Sequence, residues 1–407
     1  MALARRLAGT VDSKVLTAEA PLSPQCILQQ KRALAAGVIF TDRFEDADII
    51  VDCLYGSGFH KPMSPAAGTL IEKANSSDSI RIACDIPSGI DRNGEIDSTA
   101  FMADCTVTMG ALKMQLFGDR GKDFTGKIKT ADLGISRQLF EDDMQPDAFM
   151  LEKSDLKLPV RESQNTNKGT YGHAAIAIGE KTGAAVIAGT AAFAFGAGLV
   201  TLVCQNGMLP DNIPFHLMSS NRFPDNTTAI AVGMGLGTPS PELLEWLETH
   251  NETPAVFDAD LFRFYDIEKL IKSRKNLVMT PHPKEFASLL ELCRMGTYTV
   301  SQIQEQRFKL AREFCMAHPD TVLVLKGANT IIGLNDELYI NPLGCGCLSK
   351  GGSGDVLAGL IASLLAQGWN PFQAAIHGSL AHAMASRKIR CSYGMDPFEL
   401  IEKVKKL

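Results

Sequence analysis

Lys350-Gly351-Gly352-Ser353-Gly354-Asp355 runs without a break into the apolar stretch 356–366. A loop of three glycines and a serine opening onto a helix leaves backbone N–H groups unpaired and aimed, with the helix dipole, at one point in space. That point is an anion site. Asp355 falls in the first turn, where the dipole stabilises a carboxylate, and it also faces whatever anion the loop holds. A base beside a phosphate cradle predicts phosphoryl chemistry on a hydroxyl. Taken alone, the string also fits a glycine turn with an aspartate capping a helix, so the segments around it decide.

Five apolar segments upstream each end in residues of chemical use. His173–Ile178 leads through Gly179-Glu180-Lys181-Thr182-Gly183 into a helix over 184–195, whose small residues suit either close packing or a flat ring bound beside Ala184. Ala229–Val232 delivers Gly233-Met234-Gly235-Leu236-Gly237, a glycine loop whose spacing is not that of the dinucleotide fingerprint. Segment 254–257 ends in Asp258-Ala259-Asp260, which fit a metal-nucleotide or a helix cap. Leu277–Met279 gives Thr280-Pro281-His282-Pro283-Lys284-Glu285-Phe286, which presents a histidine between prolines at a helix start, with or without a function. Thr321–Leu325 ends in Lys326-Gly327-Ala328-Asn329-Thr330, a phosphate contact or a solvated turn. Strands alternating with helices predict an α/β, doubly wound sheet, in which all these ends open on the same edge as the glycine loop.

With 407 residues the sequence is too long for one ordinary core and predicts two domains, 1–145 and 146–407. Residues 141–164, charged and proline-bearing, read as a linker with one short helix. The N-terminal part is a second parallel α/β layer, with strands over 48–54, Ile80–Cys84, 103–109 and 126–133. The first ends in Asp52 before Gly56, Ser57 and Gly58, and the next in Asp85 before Ser88. Side by side, these ends bring Asp52, Asp85 and the Ser88 hydroxyl to one cleft with the 56–62 loop, although each aspartate alone also suits a turn. Lys113 is either an anion contact or a solvated side chain.

Hydrophobic residues make up 45% of the chain, charged residues 21%, and the net charge of −6 leaves no basic excess to hold nucleic acid. No apolar run reaches the roughly 20 residues of a membrane span, and Met1-Ala2-Leu3-Ala4-Arg5-Arg6 lacks a signal-peptide core, so no membrane partner and a cytoplasmic location are expected. The ten cysteines are scattered, and Cys345-Gly346-Cys347 lacks the company of a zinc site; buried reduced thiols are expected.

The strings DCLYGSGF, ACDIPSGID, ADCTVTMGALK and GKIKTADLGIS resemble, in order and spacing, the second half of the NAD(P)H-hydrate epimerase domain, a Rossmann-like fold. This resemblance implies a potassium ion held partly by Asp52 and Ser88, and hydrated-cofactor contacts from Gly56, Ser57, Gly58, Pro62 and Asp85. That family places an Asn-Gly-Gly-Asp-Gly loop before a helix resembling residues 2–8, where this sequence begins. An incomplete domain with weak or absent epimerisation is therefore expected.

The remainder, through NKGTYG, TGAAVIAGTAAFAFGAGLVTL, GMGLG, FDAD, TPHPKEF, VLKGANT, the 341–368 segment and AAIHGSLAHAMA, resembles the ADP- or ATP-dependent NAD(P)H-hydrate dehydratases of the ribokinase-like superfamily. Epimerase before dehydratase is the domain order of bifunctional nicotinamide-nucleotide repair enzymes. The resemblance implies that Ala184, Gly235, Gly237, His282 and Asp355 contact NADH hydrate or NADPH hydrate. It gives Lys326, Gly327, Ala328, Asn329, Thr330 and the loop Gly351, Gly352, Ser353 and Gly354 to ADP or ATP, with Mg2+ on its phosphates, and makes Asp355 the base. Lys350 adds positive charge near those phosphates. A homo-oligomer is expected. The alternative is a ribokinase-like kinase of a vitamin alcohol, with a non-catalytic N-terminal interaction domain.

Overall fold

In the computed structural model, which describes residues 1–20, 23–141, 144–205 and 213–407, the chain divides into two units, residues 1–145 and 146–407. In the first unit β1 (Lys14–Leu16) pairs in parallel with β2 (Ile39–Thr41). Strands β3 (Ile49–Asp52), β4 (Ile80–Cys84), β5 (Cys105–Met109) and β6 (Lys127–Ala131) form a separate parallel sheet in that order. The Pro65–Asn75 helix starts where the Ser64 hydroxyl accepts the Ala67 N–H, with a proline in its first turn, and buries Ala67, Ile71 and Ala74 against the sheet. Ile49-Ile50-Val51 reads in sequence as a continuous apolar run, the pattern of a strand covered on both faces. Here Ile49 and Ile80 are 52% and 57% exposed, so only the face carrying Asp52, Ala83, Thr106 and Thr108 is closed.

The second unit is built on one sheet of ten strands: β7 (Phe149–Met150), β8 (His173–Ile178), β9 (Leu199–Cys204), β10 (Met218–Ser220), β11 (Ala229–Val232), β12 (Ala255–Phe257), β13 (Leu277–Met279), β14 (Thr321–Leu325), β15 (Thr330–Leu334) and β16 (Glu337–Asn341). The order is β10-β9-β8-β11-β12-β13-β14-β15-β16-β7, parallel from β10 to β14. Every residue of β8, β11, β12, β13 and β14 is buried, as expected for strands covered on both faces. One face carries the Thr182–Ala194, Ser353–Ala366 and Pro371–Ser386 helices, and the other the Pro241–Thr249, Pro283–Leu292 and Arg307–Ala317 helices. Strands β14, β15 and β16 form an antiparallel meander. Its β15–β16 turn has Asn335 at φ 54°, the left-handed conformation that asparagine tolerates in a tight hairpin.

Part of the expected linker is strand: β7 pairs with β16, and Leu151 donates to the Ile340 carbonyl at 2.8 Å. A two-residue strand is too short to show a period. All ten cysteines are free thiols, but only Cys204, Cys293, Cys315 and Cys347 are buried as expected; Cys26, Cys84, Cys105 and Cys345 are half-buried, and Cys53 and Cys391 are exposed. Among the described residues no helix is long and apolar enough to cross a membrane.

The small residues of the Thr182–Ala194 helix let another helix approach closely. A Cβ added at Gly359 would lie 2.2 Å from the Ala188 carbonyl oxygen. Alanine outranks glycine in an isolated helix by about 1 kcal/mol, whereas overpacking costs about 1–3 kcal/mol. Gly359→Ala is therefore expected to lower the urea midpoint; a rise would show that the two helices sit further apart.

Candidate active site

The chain runs from β8 outward through β9 to β10, then returns to β11 and proceeds the other way to β14. The order reverses between β8 and β11, where an α/β sheet opens a crevice at the strands' C-terminal ends. Backbone hydrogen bonds stitch the loops there: Lys181 N–H to the Gly235 carbonyl (2.8 Å), Asp260 to Gly233 (3.1 Å), Thr280 to Phe257 (3.1 Å) and Lys326 to Pro281 (2.8 Å). Gly233, at φ 121°, has no room for a side chain, since a Cβ would sit 1.7 Å from the Asp258 carbonyl oxygen. The Gly237 N–H donates to Asp260 Oδ2 at 2.9 Å. Ala184, half-buried at the start of its helix, borders Gly235, where a Cβ would lie 3.1 Å from that of Ala184.

Lys326 is the hub of the charges. Its ammonium lies 2.9 Å from Asp258 Oδ1 and 3.8 Å from Glu285 Oε2, with its side chain 20% exposed and that of Asp258 2%. The Thr280 hydroxyl donates to the same Asp258 oxygen at 2.8 Å. Burial opposes the Lys326 charge, but Asp258, Glu285 and then Asp355 outweigh it and raise the lysine above its usual range. Lys326 is thus neither a solvated turn residue nor a free cation. Asp258 and Asp260 make no side-chain cap to the short helix they begin: one holds Lys326 and the other braces Gly237.

Beyond the hub the glycine loop turns through Gly352, at φ 90°, into the Ser353–Ala366 helix. Among the described residues no acceptor faces the N–H groups of Gly354 or Asp355. A Cβ added at Gly354 would lie 3.4 Å from the Lys326 ammonium and 4.0 Å from Asp258 Oδ2. The first helical turn and the lysine therefore face one small volume. Asp355 lies in this field. Burial, then the Asp258 charge, push its carboxyl up to about 6, with Lys326 pulling against them and Glu285 adding to the rise.

Several residues lie otherwise than expected. Ser353 is turned inward: His382 Nε2 lies 2.9 Å from its carbonyl oxygen and 3.4 Å from its hydroxyl, so the loop presents backbone rather than a hydroxyl. Lys350 does not point at the loop's anion site, because its ammonium donates to the Tyr393 carbonyl at 3.0 Å. Gly327 and Ala328 are exposed at the β14–β15 turn, whereas Asn329 is buried, its carbonyl accepting from Arg307 at 2.9 Å, and Thr330 begins β15. His282 caps the Pro283–Leu292 helix through Nδ1, with its side chain 44% exposed. Glu285 went unassigned in the sequence reading, although its place three residues after the cap is capping-box spacing.

In the first unit Asp52 is buried. Its Oδ1 accepts the Ser88 hydroxyl at 2.7 Å and the Leu54 N–H at 3.1 Å, and its Oδ2 the Ser88 N–H at 2.7 Å. Burial pushes this carboxyl up despite the bonds from Ser88 and Leu54, and among the described residues no cationic side chain pairs with it. Asp85, at φ 73°, accepts from Lys113 at 2.5 Å and from the Met109 N–H at 3.0 Å. Burial works against its charge, but Lys113 and Met109 prevail and lower its pKa. Lys113 is therefore the partner of Asp85, neither solvated nor free for an anion. Gly56 borders Asp85, a Cβ there lying 3.6 Å from Oδ2, while Ser57, Gly58 and Pro62 are exposed in the same loop.

A family model described as NAD(P)H-hydrate dehydratase matches residues 175–406, and one described as YjeF-related protein N-terminus matches residues 1–115. The second unit has the fold of the ADP/ATP-dependent NAD(P)H-hydrate dehydratase from Bacillus subtilis co-crystallised with ATP/Mg2+, at TM-score 0.52 and 24% identity over 64% of this chain and 97% of that one. A ribokinase-like superfamily protein from Enterococcus faecalis aligns at TM-score 0.51 and 18% identity, over 65% of this chain and 96% of that one. The bifunctional NAD(P)H-hydrate repair enzyme Nnr of Helicobacter pylori is 42% identical over all of this chain and 87% of its own length. With both domains matched in that order, the chain belongs to the family of bifunctional NAD(P)H-hydrate repair enzymes.

Proposed function

We propose that the second unit dehydrates the S form of NADH hydrate or NADPH hydrate, with ADP or ATP as phosphate donor and Asp355 as base. The observation that carries this reading is the half-buried Asp355 carboxyl in the first turn, beside unpaired N–H groups and within the field of Lys326. Asp355 takes the proton of the C6 hydroxyl as the hydroxyl oxygen attacks the terminal phosphorus of the nucleotide, whose bond to the bridging oxygen breaks to release AMP from ADP or ADP from ATP. The helix N-terminus and Lys326 hold the charge on the transferred phosphate. The new phosphate ester is a better leaving group than hydroxide; the ring nitrogen lone pair expels it as phosphate, and loss of a C5 proton from the resulting iminium restores the dihydropyridine. Ala184, Gly235, Gly237 and His282 line the cofactor side, and Gly327 to Thr330 the nucleotide side.

Magnesium fits the donor set. Asp258 Oδ1 is engaged by Lys326 and Thr280, whereas Oδ2 faces the Gly354 turn, and this ion takes few protein ligands when phosphates supply the rest. When bound, it would neutralise phosphate charge. In the first unit the Asp52 carboxylate, buried without a cationic partner, would hold potassium together with Ser88. Asp85 and the loop containing Gly56 would contact the hydrated cofactor.

The test is near-ultraviolet absorbance of reduced nicotinamide on purified protein given magnesium and NADH hydrate, with ADP and ATP in separate cuvettes. A rise with one nucleotide is expected and names the donor. Nucleotide consumption without a rise would turn the reading toward a kinase that releases a stable ester. Supplying the R epimer tests the first unit: turnover above spontaneous isomerisation means that it epimerises.

A further inference from the structure

The Glu285 carboxylate reaches two loops, with the side chain only 10% exposed. Oε2 accepts the His282 backbone N–H at 2.8 Å and lies 3.8 Å from the Lys326 ammonium. Oε1 lies 3.2 Å from His282 Nε2. The tautomer of His282 follows from its other nitrogen. Nδ1 accepts the N–H groups of Lys284 and Glu285 at 3.1 and 3.2 Å, so the ring proton is on Nε2, the nitrogen nearest Glu285 Oε1. Burial holds the ring below its usual pKa, against the pull of Glu285 and with the push of Lys326, so the neutral form is the relevant one. One carboxylate thus lies against the ring of the histidine after β13 and shares the charge of the lysine after β14.

We propose that Glu285 is a positioning residue that couples the binding of the two substrates. The proposal rests on the assignment above of His282 to the hydrated cofactor and Lys326 to the nucleotide. Nucleotide phosphate draws the Lys326 charge toward itself. Glu285 then keeps His282 as its chief partner and holds the ring more firmly for the cofactor. Linkage makes the effect reciprocal, so bound cofactor favours nucleotide to the same extent.

The experiment is an initial-rate matrix over NADH hydrate and the active nucleotide, with magnesium, for wild type, Glu285→Gln and Glu285→Asp. In the wild type, KM for NADH hydrate is expected to fall about fivefold or more as nucleotide approaches saturation. Glutamine keeps the volume but sets an amide N–H2 against one of the donors and removes the charge beside Lys326. The fall in KM should vanish, both KM values should rise, and kcat should drop by less than about tenfold. Aspartate keeps the charge but is a methylene too short to serve both loops, so it should also lose the coupling; it covers the case in which the amide variant misfolds. A wild-type KM independent of nucleotide, coupling retained in either variant, or a kcat collapse with unmoved KM values would overturn the proposal. If the wild type gives no absorbance rise with either nucleotide, the proposed reaction falls instead. Calorimetric titration of ADP with and without NADH hydrate then decides the coupling, and equal affinities in the wild type would end it.

Discussion

Asp355→Asn is expected to bind ADP or ATP with nearly wild-type affinity and to lose about 10²–10⁴-fold in kcat, the span that general base catalysis supplies. The amide keeps the size of the side chain and leaves the Gly354 turn and Lys326 in place, so only the proton acceptor is removed. The wild-type pH profile makes the same point. With the carboxyl pushed up to about 6, kcat/KM should fall tenfold per pH step below that value, because the protonated acid cannot take the hydroxyl proton. Stability moves oppositely. The folded protein holds this proton more tightly than the unfolded chain, so stability from Asp355 is present below the unfolded value of 3.8 and is lost as pH rises through about 6. At pH 7.5 the buried charge costs on the order of 2–3 kcal/mol, and the asparagine variant should melt higher there, with the difference closing toward pH 4. Retained turnover would remove Asp355 from the chemistry; a lower melting temperature would mean that its inactivity reflects damage to the fold.

What could be read in advance follows physical rules. Strands β8, β11, β12, β13 and β14 are buried on both faces, so they appear as unbroken apolar runs, and the glycine, aspartate, histidine and lysine that follow them stand out. Asp355 was legible for the same reason, lying in a loop whose composition has few uses. Contacts between distant residues were not legible. Lys113 and Asp85 are 28 residues apart, His382 and Ser353 29, and Lys350 and Tyr393 43, so each pairing is a product of packing. Strands β1, β2, β7, β9, β10, β15 and β16 were not named in advance, two of them for local reasons. Phe149–Met150 is too short to show alternation, and β16 is recognisable only once Asn335 is seen as a hairpin turn. Glu285 was visible in the TPHPKEF string but carried no assigned role: its spacing from His282 is that of a capping box, and its link to Lys326 requires β13 and β14 to be neighbours.

Lys326→Met should impair the enzyme in two ways that pH separates. The ammonium shares its site with Asp258, Glu285 and Asp355, and removing one partner of a buried pair costs about 3–5 kcal/mol because the other charges are left without compensation. Lys326 is itself raised above 10.5, so its stabilisation is fully present below that pH and is lost only as pH rises through its still higher folded value. Between pH 5 and 9 the lysine's contribution is therefore constant. Any pH dependence of the loss comes from the carboxylates, which in the variant can relieve their repulsion by taking up protons. The melting-temperature deficit is expected to be largest near pH 8 and to shrink toward pH 5. Catalysis should show the same electrostatics. Loss of the cation costs about 10²–10³-fold in kcat if Lys326 steadies the transferred phosphate. It also removes the charge that holds Asp355 down, so the acidic limb of the rate profile should move above the wild-type position near 6. A limb that stays in place would mean that Lys326 and the base do not share one field, and the arrangement of loops around the glycine turn would need another purpose.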